Sequence, residues 1–392
     1  MAHERRIVRK RRLGPSDVAS ARDFWTRGGS DISLEGALRA DSRSISPYGL
    51  DLARREVSFV RTRPELDLAK AHPFFYEAQR ENAETLITAS FDEVRDTAAA
   101  LGSAPFRFAF LYSPGRCGST VAGKIAGRLP GVQSISEPDF FSQVTLARIP
   151  SDAALERELV RVTASTSRLL GHHRLAVAPS RPVLFVKHRG MSLYAAELIR
   201  DAVPRSRSLF LHRNANDVID SYIGAFLRSP FVGLFRSIGL DRLAVRILRV
   251  LWPRLHPAVP RFMPLVIEPG TPDRDRHGVV EILALGFHSM MQEAARLDRS
   301  GALRFDSVLR YEDLTEAPER FVRDLASGLG VDLGSNPEPT IREALLATKG
   351  NSQAGSAVAS DGRKSLSAGD VLRVERVLSE LGGMDTQTVG LA

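Results

Sequence analysis

Cysteine is almost absent from this chain of 392 residues: Cys117 is the single one. That excludes an intrachain disulfide and a cysteine-rich zinc site, and it fits a reducing, cytoplasmic setting. Lysine is nearly as scarce, only six of the 54 lysines and arginines, so guanidinium groups carry the formal net charge of +8. Aromatic residues make up 7%, and the basic residues are dispersed rather than clustered with them. No nucleic-acid surface is expected from that pattern, and a small anion is the favoured partner. Long apolar runs are also missing. None reaches the roughly 18 residues of a membrane span. The basic start "MAHERRIVRKRRLG" has no apolar segment behind it, so no signal peptide is expected.

What is present is a hydrophobic content of 43%, enough for a large core. Apolar runs at 106–112, 182–190 and 208–213 read as strands, and each is followed by a segment of helical period. Helices are expected over 119–129, 152–171, 279–298 and 367–382. This alternation predicts an α/β fold, a central parallel sheet flanked by helices on both faces. Ligands of such sheets lie beyond the carboxyl ends of the strands, so the loops after 112, 187 and 212 should share one crevice. Residues 1–104 read as an N-terminal extension packed on or near this core. Within it "RRIVRKRR" reads as a solvated basic arm, and "ETLITASFDEVRDTAAALG" as a helix ending at Gly102. Residues 229–280 interrupt the 105–392 domain as a helical insertion. Leu240, Leu243, Ala244, Ile247 and Leu251 share one face there, and Arg242, Arg246 and Arg249 share the other. Core packing is the favoured reading, with membrane-surface contact through 238–254 as the alternative.

The informative local stretch is "FLYSPGRCGSTVAGK", residues 110–124, a strand that breaks into a turn and re-enters a helix. Gly118, Gly123 and Lys124 imitate a Walker loop, but Ile125 stands where the Mg²⁺-binding hydroxyl belongs. The anion-binding chemistry lies earlier, in Gly115 to Thr120. Gly115 and Gly118 permit the turn, and Arg116 brings a planar, permanent charge. Cys117 is part of the same loop. Ser119 and Thr120 offer hydroxyls at a helix start, where backbone N–H groups lack partners.

Three segments together resemble one family. "SPGRCGST" is similar to the 5′-phosphosulfate loop of sulfotransferases that use 3′-phosphoadenosine 5′-phosphosulfate (PAPS). "LFLHRNANDVIDSY" is similar to their 3′-phosphate motif, an Arg at a strand end and a Ser eight positions on, here Arg213 and Ser221. "RYEDLTEAPERFVRDLASGLGV" resembles a segment near the end of these enzymes. The resemblance spans roughly 105–385 without the insertion, and implies a P-loop-like three-layer fold. It implies PAPS as co-substrate, bound at Gly115, Arg116, Cys117, Gly118, Ser119, Thr120, Arg213 and Ser221. No metal is expected, because sulfuryl transfer places less charge on the moving group than phosphoryl transfer does.

The acceptor, a small molecule or a glycan, must lose a proton as it attacks sulfur. Glu137 in "SISEPDFF" stands where several family members place a carboxylate base, and His188 in "LFVKHRG" ends the next strand and is the second candidate. Lys187 would neutralise the bridging oxygen, and Arg116 the leaving phosphate. The Gly/Ser-rich segment 350–369 is a candidate to close over the nucleotide, and Tyr311 and Glu312 are expected to anchor the fold. Two other functions remain open on the sequence: a P-loop small-molecule kinase, and a non-catalytic sulfotransferase-like binding protein.

Overall fold

A computed structural model describes residues 1–14, 17–102, 106–148, 152–226, 242, 243, 245, 277–348 and 365–381. The readings of the 229–280 insertion and of the Gly/Ser-rich segment fall largely outside these residues.

Apolar runs without polar alternation suit strands buried on both faces. Five of them form one all-parallel sheet: Arg107–Tyr112, Val132–Ser136, Val183–Lys187, Arg207–His212 and Ser307–Arg310. With the five earlier strands numbered β1 to β5, these are β6 to β10, and their order is β10-β9-β6-β8-β7. The helix Ser119–Ala126 leaves β6 and packs on β7 and β8, while the helix Pro318–Leu329 packs beside β9 and β10. The chain is an α/β fold with a helix-flanked parallel sheet.

The strand order places the site. From β6 the chain moves outward to β7, on one side of the sheet; from its other neighbour β9 it moves outward to β10. The loops therefore diverge above the carboxyl ends of β6 and β9 and leave a crevice between them.

The first hundred residues depart from expectation. The basic run is not a solvated arm. It is β1 (Ala2–Lys10), paired antiparallel with β2 (Phe24–Ile32) and with β5 (Thr85–Ser90). Strands β3 (Ile45–Asp51) and β4 (Glu56–Arg61) complete a second five-stranded sheet, ordered β2-β1-β5-β4-β3. The segment read as one helix up to Gly102 divides at Ser90 into β5 and a helix, Phe91–Ala100. Ser90 caps that helix by accepting from Glu93 N–H at 3.2 Å, and the branched residues before it favour a strand. Both sheets contribute to one apolar core, in which Phe59 and Ile87 join Phe110, Phe141 and Phe185.

Candidate functional site

The turn after β6 holds three residues with positive φ: Gly115 at 82°, Arg116 at 56° and Gly118 at 78°. Two of them lack the space for a side chain. A Cβ on Gly115 would lie 2.2 Å from the Tyr222 hydroxyl, and one on Gly118 would lie 2.2 Å from Cδ2 of Tyr311. The non-glycine Arg116 adopts the left-handed region as well, a cost that persists where surrounding contacts impose it. Those contacts come from helix Ala215–Phe226, which follows β9. Its Ser221 Oγ accepts from Arg116 Nε at 2.9 Å, and its Tyr222 hydroxyl donates to Pro114 O at 2.9 Å. No side chain caps the helix Ser119–Ala126, so its first N–H groups open toward the turn. Ser119 and Thr120 are buried at that start. Lys124 is exposed further along the helix, away from a Walker position.

A second cation stands across the crevice. Arg213 follows β9, with its guanidinium 4.3 Å over the Tyr311 ring and Nη2 3.3 Å from Asp217. Its buried Nε has no hydrogen-bond partner. The Tyr311 ring thus touches the space over Gly118 and carries Arg213, while Glu312 accepts from Asn214 N–H at 2.8 Å and fixes the strand end. Burial pushes the Arg116 guanidinium below its ordinary value, and the charge of Arg213 adds to that push. Two like charges held together in a half-buried crevice are relieved by an anion. Beside Ser221, the Asp220 carboxylate accepts from Ser365 N–H at 2.6 Å and Leu366 N–H at 2.8 Å, which lays residues 365 and 366 against the same helix.

Beyond β7 and β8 lies a compact group of four charges. Glu137 has φ 58° and donates its N–H to Lys187 O at 2.7 Å. Its Oε1 is bound by Lys187 Nζ, and its Oε2 lies 3.4 Å from Arg189 Nε. Arg189 is held in turn by Asp139, Nε to Oδ1 at 2.7 Å and Nη2 to Oδ2 at 2.9 Å. Asp139 is fully buried and also accepts from Ala19 N–H and Ser142 Oγ. Burial pushes its carboxyl up to about 6, against the pull of Arg189 and the Ala19 N–H. The negative charge of Glu137 acts on Arg116 and Tyr222 of the anion-turn region.

His188, the second candidate base, is placed differently. Its ring is stacked on Tyr112 with centroids 5.0 Å apart and lies 4.8 Å from Phe141 and 5.1 Å from Phe110. It is 2% exposed, and burial, helped by Lys187, pushes its imidazole down to about 3. Cys117 is buried too; its thiol, pushed up by that burial, donates to Gly115 O at 3.0 Å and closes the turn from within.

The sequence reading missed Arg189, Asp139, Phe74, Tyr76 and Tyr222. Phe74 and Tyr76, from the N-terminal sheet region, lie over Lys187 (5.7 Å) and Arg189 (4.5 Å). Arg189, Asp139 and Tyr222 stand next to or near the noted Lys187-His188 pair, Glu137 and Ser221, whereas Phe74 and Tyr76 carried no local signal. Among the described residues no group of three or more His, Cys, Asp or Glu side chains is arranged to hold a metal, and no helix is long and apolar enough to cross a membrane.

No family model matches the chain, and no curated protein does. Several solved structures match it. A mouse sulfotransferase, SULT7A1, complexed with PAP is 12% identical over 76% of this chain and 94% of its own, with a TM-score of 0.40. Sulfotransferase STF9 from Mycobacterium avium is 14% identical over 76% and 82%, with a TM-score of 0.41. Sulfotransferase STF1 from Mycobacterium tuberculosis is 15% identical over 74% and 82%, with a TM-score of 0.35. At these scores the likeness carries no correspondence between individual residues.

Proposed function

We propose that the chain is a sulfotransferase that moves a sulfuryl group from PAPS to a hydroxyl or amine of a small-molecule or glycan acceptor. The observation that supports this most is the pairing of two anion positions across one crevice. The glycine-bearing turn and Arg116 form the first, and Arg213 with its unpartnered Nε forms the second. A nucleotide with phosphates at both its 5′ and 3′ positions needs two such places, and a simple 5′-monophosphate needs one.

The residues fit the group. Gly115 and Gly118 let backbone approach the 5′-phosphosulfate where a Cβ would collide with Tyr222 or Tyr311. Arg213 and Ser221 would hold the 3′-phosphate, each charge-assisted hydrogen bond contributing about 1.5–3 kcal/mol. When bound, PAPS supplies an activated sulfuryl group on a good leaving phosphate. The chain's part is then to orient it and to place positive charge where the leaving phosphate gains negative charge. Arg116 and Lys187 would carry that task. Glu137, whose carboxylate faces Lys187 and Arg189, would serve as the base for the acceptor proton; His188 in its aromatic cage would serve packing. The single buried thiol suits a cytoplasmic setting.

The test is incubation with sulfur-35-labelled PAPS and a panel of hydroxyl and amine acceptors, followed by separation of labelled products. Label on an acceptor, without added metal, is the expected result. Labelling that occurs only from ATP and Mg²⁺, with a phosphorus tracer, would make the chain a kinase instead. Binding of the bisphosphate product with no transfer to any acceptor would favour the non-catalytic relative.

A further inference from the structure

The four charges beyond β7 and β8 are not equivalent. Lys187 meets Glu137 through a single flexible ammonium, which can rotate and redirect its donors. Arg189 cannot do so. Asp139 holds its guanidinium by a hydrogen bond from Nη2 to Oδ2 at 2.9 Å and by an ion pair at Nε, 2.7 Å from Oδ1, and the Tyr76 ring covers it at 4.5 Å. Asp139 is itself fixed by the Ala19 N–H and the Ser142 hydroxyl, at 2.8 and 2.9 Å. The two carboxylate oxygens of Glu137 are thus divided. Oε1 faces the ammonium of Lys187 and Oε2 the guanidinium of Arg189.

We propose that Arg189, clamped by Asp139, is a positioning residue for Glu137: its charge, with Nε 3.4 Å from Oε2, draws that oxygen in and leaves Oε1 for the acceptor proton once Lys187 turns to the donor. This rests on the sulfotransferase reading. A carboxylate at φ 58° with one free swinging bond would sample many orientations, and misplacement of a reacting group by about 1 Å can cost 10²-fold in rate. The clamp removes that freedom without touching the reacting atoms. In the transfer step the acceptor O–H or N–H bond breaks and its proton passes to Glu137 Oε1. The acceptor's electron pair forms the bond to sulfur. The bond from sulfur to the 5′-phosphate oxygen breaks, and its pair leaves on that phosphate, where Lys187 and Arg116 meet the new charge. Because Asp139 also binds Ala19, the clamp ties the order of the N-terminal region to the orientation of the base.

Two variants test this, Asp139→Asn and Arg189→Lys. The first keeps the size of the carboxyl group, and the second keeps the charge but loses the planar guanidinium that reaches Asp139 and Glu137 together. Turnover is read as transfer of labelled sulfur from PAPS to an acceptor or to water, and donor binding as the melting shift caused by adenosine 3′,5′-bisphosphate. Each variant should lower kcat about tenfold or more, with KM for PAPS and the bisphosphate shift near wild type. A crystal structure of the wild type with the bisphosphate should show Lys187 moved to the 5′-phosphate and Arg189 still on Glu137. Unchanged kcat in both variants would overturn the proposal. So would joint loss of kcat and bisphosphate binding, which marks a structural role, or a complex in which Arg189 releases Glu137. Failure of the wild type to bind the bisphosphate would instead remove the donor reading on which it rests.

Discussion

Arg116 Nε donates to Ser221 Oγ at 2.9 Å and so joins the turn after β6 to the helix after β9. The two residues are far apart in sequence but sit on either side of the point where the sheet's connections diverge. The link makes the two anion positions one unit, and it implies different costs for losing each cation.

Arg116→Ala should chiefly lower kcat, since its charge counts most when the leaving phosphate gains charge. Arg213→Ala should chiefly raise KM for PAPS, because the 3′-phosphate is unchanged by the reaction. With about 1.5–3 kcal/mol per charge-assisted bond, each loss should reach tenfold or more. Steady-state kinetics on both variants, with labelled PAPS, reads the split.

Gly118→Ala should damage the site through backbone and space together. The new Cβ falls 2.2 Å from Tyr311, at a φ of 78° that side chains rarely adopt. Tyr311 also carries Arg213, so its displacement reaches the second anion position. The expected cost is about 1–3 kcal/mol of stability. Denaturant unfolding measures that cost, and bisphosphate titration should show weakened binding beside it.

Two buried histidines set a pH dependence of stability. Burial pushes His188 and His173 each down to about 3, from 6.5. Between those values the unfolded chain binds protons that the folded chain refuses. Stability should therefore be full above about pH 6.5 and fall steadily as the pH drops toward 3. His188→Asn should lessen that slope, cost about 1–3 kcal/mol at neutral pH through lost packing, and spare turnover per folded molecule. Unfolding curves at a series of pH values, with kcat beside them, check all three. A kcat collapse in His188→Asn with intact bisphosphate binding would return His188 to the role of base.

The parallel sheet was legible because strands buried on both faces leave continuous apolar runs, as in "FRFAFLY" and "PVLFVKHRG". The strand, turn and helix that carry Arg213 and Ser221 were legible for a similar reason, while their pairing as a candidate site came from the resemblance. The strand β1 was not. Its arginines hide the apolar positions, and register shifts between Glu4 and Arg6 and between Ile7 and Arg9 break the two-residue alternation. The division at Ser90 carried a readable sign, Ser90 followed by Glu93 three residues later, which the apolar periodicity around it masked. The clamp of Asp139 and Arg189 was beyond reach, since its partners Ala19 and Tyr76 come from a different sheet region and meet it only in the folded chain.

The most direct measurement of the central claim is calorimetric titration of the full chain in EDTA with adenosine 3′,5′-bisphosphate, and separately with AMP. Two anion positions across one crevice predict metal-independent binding of the bisphosphate at least tenfold tighter than AMP, the difference falling away in Arg213→Ala. Equal affinity for the two nucleotides, or binding that appears only with ATP and Mg²⁺, would contradict the account.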